Sequence, residues 1–122
     1  YIHDMNSDDL CQVYRCLCDV TRLRILNLLG EDALCVCHIQ QVLGESQVKI
    51  SKHLAYLKSH HLVESERRAN WMIYRISSAP NPILEENLKC LQDLSREDPV
   101  FMADIKRLQA TDTSAACCPT SS

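Results

Sequence analysis

Two short apolar stripes at helical spacing meet across a glycine, and immediately after them the pattern changes to that of a hairpin. Over Cys35–Leu43, Val36, Ile39, Val42 and Leu43 fall on one helical face, and Gly44 ends the run. Ser46 can cap the next helix, predicted over Gln47–Ser59, in which Val48, Ile50, Leu54 and Leu57 are apolar. Lys49 is not the Glu or Gln of a capping box, so only the cap half is present. Leu62–Arg68 and Trp71–Ile76 then read as two strands around Ala69-Asn70, where Asn70 suits the positive φ of a tight turn. Two helices across a tight turn followed by a hairpin are the pattern of a helix-turn-helix with a β-wing.

The rest of the chain packs around that unit. A first helix is expected from about Asp8 to Cys18, with Leu10, Val13, Tyr14 and Leu17 on one stripe and Ser7 or Asp8 as its cap. A second runs from about Thr21 to Leu29. Its broad apolar arc (Leu23, Ile25, Leu26, Leu28, Leu29) marks it as the central buried helix, and Gly30 as its stop. Pro82 sits well at the start of a fifth helix reaching about Ser95, and Asp98-Pro99 restarts a sixth with Phe101, Ile105 and Leu108 apolar. The expected fold class is mainly α with a small β-hairpin: five to six helices and a two-stranded antiparallel wing. Residues 1–110 form the folded domain, and 111–122 a Ser/Thr/Ala-rich, flexible tail that carries cysteines. No apolar run approaches 18 residues, so neither a membrane span nor a secretory leader is expected.

Charge is distributed unevenly. The chain carries −3 overall, yet residues 47–75 hold six Lys/Arg against two Glu. A basic middle between acidic flanks suits contact with an anion at one place, although a solvated charged hairpin would look the same. A helix in the DNA major groove needs short or flexible polar side chains on one face and cations at its edges. Gln47, Lys49, Ser51, Lys52, His53 and Tyr56 supply these, with Lys58 at the far end and Arg67, Arg68 and Asn70 on the hairpin.

Three segments together resemble the ArsR/SmtB family of winged-helix metalloregulators. They are Asp19-Val20-Thr21-Arg22-Leu23-Arg24-Ile25-Leu26, Leu34-Cys35-Val36-Cys37-His38-Ile39, and the stretch from Gln47 to Leu57; Trp71–Ile76 is similar to that family's second wing strand. Val20 stands where the family more often has proline. The resemblance covers roughly residues 8–95 and implies a homodimeric repressor that leaves operator DNA when an ion binds. It also implies dimerisation through the first and last helices, here the stripes in 10–17 and 83–94. A two-fold dimer spaces its reading helices by about 34 Å and so implies an inverted-repeat operator.

Eight cysteines would suit a disulfide framework in a secreted domain. The hydrophobic content already builds a core, so reduced thiols in a cytosol, available as soft ligands, are expected instead. Cys35 and Cys37 are the primary candidate ligands. Successive residues of a helix are about 100° apart, so the two side chains diverge by about 200° and meet at one ion only if the first turn is unwound. The arsenic-responsive branch of the family carries Cys-Val-Cys followed three residues later by a further Cys; here that position is Gln40. Cys117 and Cys118 are additional or alternative donors, and cysteine pairs near the C-terminus serve as sensors elsewhere in the family. Cys16, Cys18 and Cys90 read as core-filling residues, and His38 as solvent-facing. Residues 82–95 contain no His, which argues against the family's zinc site on that helix.

These features together predict a cytoplasmic repressor of operator DNA, induced by As(III), or by Sb(III) or methylarsenite, and needing no cofactor to fold. Thiol-redox or Cd/Pb/Zn response on the same scaffold is the alternative. An enzyme is not expected, because no nucleotide cradle or nucleophile–base pair stands at a recognisable spacing.

Overall fold

The computed structural model describes residues 6–78 and 81–111. Among these described residues, six helices and three strands follow in the order α1 (Ser7–Leu17), α2 (Val20–Leu29), β1 (Leu34–Cys35), α3 (Val36–Leu43), α4 (Gln47–Ser59), β2 (Val63–Arg68), β3 (Trp71–Ile76), α5 (Pro82–Ser95) and α6 (Pro99–Gln109).

Local chemistry accounts for most of the boundaries. Asn6, rather than Ser7 or Asp8, caps α1: its side chain accepts from the Asp9 N–H at 2.9 Å while the Asp9 carboxylate accepts from the Asn6 N–H at 3.1 Å. This reciprocal pair is a capping box with Asp in place of Glu. Asp19, Ser46, Asn81 and Asp98 cap α2, α4, α5 and α6 by the acceptor half alone, each side chain accepting from a first-turn N–H. Gly44 ends α3 in the left-handed region at φ 70°, the conformation that only glycine adopts without penalty. At the end of α4, His61 takes that conformation at φ 65°. The His61 N–H donates to Lys58 O and the Leu62 N–H to Leu57 O, both at 3.0 Å. These are the two bonds of a Schellman motif, closed by the buried pair Leu57 and Leu62.

α2 is the centre of the molecule, with Ile25 through Leu29 all buried and α1, α4, α5 and α6 packed around it. Ile39, Val42, Ile50, Leu54, Leu57, Leu84, Leu91, Phe101 and Leu108 complete a single core. The wing pairs antiparallel from Val63↔Ile76 to Arg68↔Trp71, and its positive φ falls on Ala69 (55°), not on Asn70. A third, two-residue strand extends the expected hairpin: β1 pairs antiparallel with β3, giving the order β1-β3-β2. Cys35 therefore belongs to a strand, and α3 begins one residue later than its periodicity suggests. Among the described residues, no helix is long and apolar enough to cross a membrane.

Candidate nucleic-acid interface and sensor site

α4 buries Ile50, Leu54 and Leu57 and turns its remaining side chains outward. Gln47, Lys49, Lys52 and Lys58 are exposed, and Ser51, His53 and Tyr56 are half-buried at the edges. Val48, expected in the core, is 65% exposed. The buried stripe is centred nearly opposite it on the helix, and an outward valine beside Gln47 and Lys52 suits contact with a thymine methyl. Lys49 Nζ is held 3.2 Å from Glu45, one turn earlier. Lys52, Lys58 and Arg67 form no ion pair among the described residues.

His53 and Tyr56 are held by a residue that sequence reasoning did not single out. Arg22 of α2 stacks its guanidinium 4.6 Å from the centre of the Tyr56 ring, and its Nη1 lies 3.4 Å from His53 Nδ1. The same group donates to Cys16 O and Arg15 O, both at 2.9 Å, closing the C-terminal end of α1. One side chain thus fixes α1, α2 and α4 together. Burial lowers the His53 pKa; Asp19 opposes this, and the positive charge of Arg22 and Lys49 adds to it.

On the wing, Arg67, Arg68 and Asn70 are exposed near the tip. Arg68 lies 3.5 Å from Glu66. Arg75 is spent on Glu64 (3.0 Å) and Glu66 (2.8 Å), so part of the positive charge counted in the sequence is neutralised within the hairpin.

Cys35 is 1% exposed and Cys37 half-buried. Cys35 is the N-cap of α3, with extended φ −88° and ψ 166°, so the helical divergence of the two side chains does not apply. No side chain caps this helix end, and the positive end of its dipole favours a nearby thiolate. Both sulfurs are disulfide-bonded, in contrast to the reduced state expected, whereas Cys11, Cys16, Cys18 and Cys90 are free thiols. His38 is not solvent-facing. It is 6% exposed, and its Nδ1 lies 3.4 Å from Cys35 Sγ. Among the described residues no three His, Cys, Asp or Glu side chains gather closely enough to hold a metal ion. Cys117 and Cys118 lie outside the described residues. Of the cysteines expected in the core, Cys16 is buried, and burial raises its pKa; Cys18 and Cys90 are exposed.

Residues 19–65, from the cap of α2 into the first wing strand, match the family model described as "Bacterial regulatory protein, arsR family". The arsenic resistance transcriptional regulator ArsR1 of Pseudomonas putida is 36% identical over 86 residues, 70% of this chain and 67% of that protein. The arsenical resistance operon repressor of Escherichia coli is 38% identical over 87 residues, 67% of this chain and 74% of the repressor. Among solved structures, HlyU from Vibrio cholerae superposes with a TM-score of 0.65 at 28% identity, over 73% of this chain and 94% of its own. The homodimeric winged helix-turn-helix DNA-binding domain Mb0332 from Mycobacterium bovis gives 0.63 at 29%, over 74% and 81%. The chain belongs to the arsR family of bacterial regulatory proteins.

Proposed function

We propose that this protein is a cytoplasmic, homodimeric repressor that leaves its operator when trivalent arsenic binds the reduced thiolates of Cys35 and Cys37. The placement of Cys35 carries the reading. It stands where β1, hydrogen-bonded to the wing strand β3, passes into α3, the first helix of the helix-turn-helix. A bond made at its sulfur acts on both DNA-contacting parts at once. Gln47, Lys49, Ser51 and Lys52 read and hold the major groove, with His53 and Tyr56 at its edge. Lys58, Arg67, Arg68 and Asn70 hold the flanking backbone.

Residues 1–110 would form the DNA-binding and dimerising unit and 111–122 a cysteine-bearing tail. Tyr14 on α1 and Leu94 on α5 are 51% and 48% exposed, which supports pairing of copies through those helices. Arsenic(III) is soft and prefers sulfur, and Gln40 offers none. Cys117 or Cys118 would supply a third sulfur, as the thiols of the chain's C-terminal segment. Antimonite or methylarsenite would fit the same donors.

Inducer and operator affinities must be reciprocally linked, typically by about 1–3 kcal/mol. A mobility-shift assay on the reduced protein with As(III), Pb(II), Cd(II) and Zn(II) tests the reading. Arsenic is expected to dissolve the complex at the lowest concentration; a complex intact in As(III) would disprove it. The disulfide-bonded state of Cys35 and Cys37 favours a second reading, a thiol-redox repressor. Release by peroxide, reversed by reductant and indifferent to As(III), would establish that instead.

A further inference from the structure

Asp104 of α6 is fully buried, and its carboxylate binds two arginines. Arg24 of α2 grips it in two bonds, Nε to Oδ2 at 2.8 Å and Nη2 to Oδ1 at 2.9 Å, and Arg107 of α6 donates to Oδ1 at 2.6 Å. Each arginine also reaches the C-terminal end of α3. Arg107 Nε donates to Val42 O at 2.7 Å, and Arg24 Nη2 to Leu43 O at 3.4 Å. Helix-end carbonyls have no partner within their own helix, and positive charge is favoured beside them. The next residue is Gly44, the left-handed hinge, and Ser46 already caps α4. Neither α6 nor its arginine lies within residues 19–65, and none of the three residues was expected to touch DNA or an ion.

We propose that Arg24 and Arg107, held on Asp104, are positioning residues for operator reading: they fix the carbonyl end of α3, and through the three-residue turn 44–46 they set the angle at which α4 is presented. The proposal rests on the repressor reading above. α4 keeps its own anchors, Ile50, Leu54 and Leu57 in the core and Tyr56 against Arg22, so loss of the clamp loosens the angle without unfolding the helix. A planar guanidinium can serve a carboxylate and a carbonyl together, which an ammonium does less well.

The test uses the full chain, Arg107→Ala and Arg107→Lys, with an operator duplex selected from a random library by the wild-type protein. Arg107 is half exposed, so its removal should leave the chain folded. Arg107→Ala is expected to weaken operator binding about tenfold, the size of one charge-assisted hydrogen bond. Affinity for random-sequence DNA and the salt dependence should not change, and Arg107→Lys should recover part of the loss. Amide exchange at residues 44–46 in the DNA-free protein should be faster in Arg107→Ala. Wild-type operator affinity in that variant, with only a lower Tm, would overturn the proposal. So would an equal loss on random DNA with a shallower salt slope, which would mark Arg107 as a phosphate contact. Should the wild-type chain select no operator, the repressor reading fails by itself, and amide exchange at 44–46 still decides whether the clamp holds the turn.

Discussion

Cys35 faces Ile73 across the β1–β3 ladder, so the first candidate sensor residue and the second wing strand share backbone hydrogen bonds. Leu34 and Tyr74 are the adjoining pair. Ligation at Cys35 should therefore reach the wing through the backbone as well as α4 through α3. Amide exchange of the reduced protein with and without As(III) should change at Ile73 and Tyr74 together with the first turn of α3. Unchanged exchange at both wing residues would show that the ladder transmits nothing.

Arg22 is the polar contact that ties the edge of the reading helix to the end of α1. Arg22→Met keeps the stem but removes the stacking on Tyr56 and the bonds to Arg15 O and Cys16 O. The expected loss is about 1–3 kcal/mol of unfolding free energy in urea, the cost of leaving such carbonyls without a charged donor. A variant as stable as the wild type would mean that α1 and α4 do not depend on it.

Acidification should destabilise the fold through His53. Its pKa in the folded protein lies below the ordinary value, chiefly because of burial, so the unfolded chain takes up the proton first as pH falls. That contribution is complete above the unfolded pKa of about 6.5 and is lost as pH drops from there through the folded value. Comparing urea midpoints at pH 7.5 and 5.5, His53→Gln should lose less stability than the wild type. An equal loss would place the effect on other groups.

Among the described residues, two that are not glycine, His61 and Ala69, hold positive φ. His61 sits at the left-handed position of the Schellman motif that ends α4, where glycine carries no steric cost. The gain in the folded state exceeds the added freedom of the unfolded chain, so His61→Gly should stabilise by about 0.5–1 kcal/mol. Thermal unfolding measures this directly, and a lower Tm would show that the imidazole has a role beyond its backbone position.

What the sequence revealed depended on how local the cause was. The bounds of α4 were legible to the residue, because Ser46, the stripe Ile50–Leu54–Leu57 and the change of period at Leu62 all lie within one segment. α3 was misplaced by one residue at its start because β1 is two residues long, too short to show a period of its own, and is created by pairing with β3 some 40 positions away. That pairing places Cys35 in a strand and fixes the start of the helix that buries His38. Arg24 and Asp104 are separated by 80 positions, and no local pattern announces a buried carboxylate on α6. The basic surface was overcounted for a related reason. The partners of Arg75 become visible only when the register sets Glu64 opposite it and Glu66 two residues along.

The dependence of induction on the two α3 thiols is the point on which the proposed mechanism stands. Reduced wild-type protein and a Cys35→Ser plus Cys37→Ser variant should be bound to a fluorescent operator and titrated with As(III), with anisotropy as the readout. The wild type should release the DNA, and the variant should bind operator normally and keep it throughout the titration. Release of both proteins at the same arsenic concentration would contradict the mechanism and move the sensor away from α3.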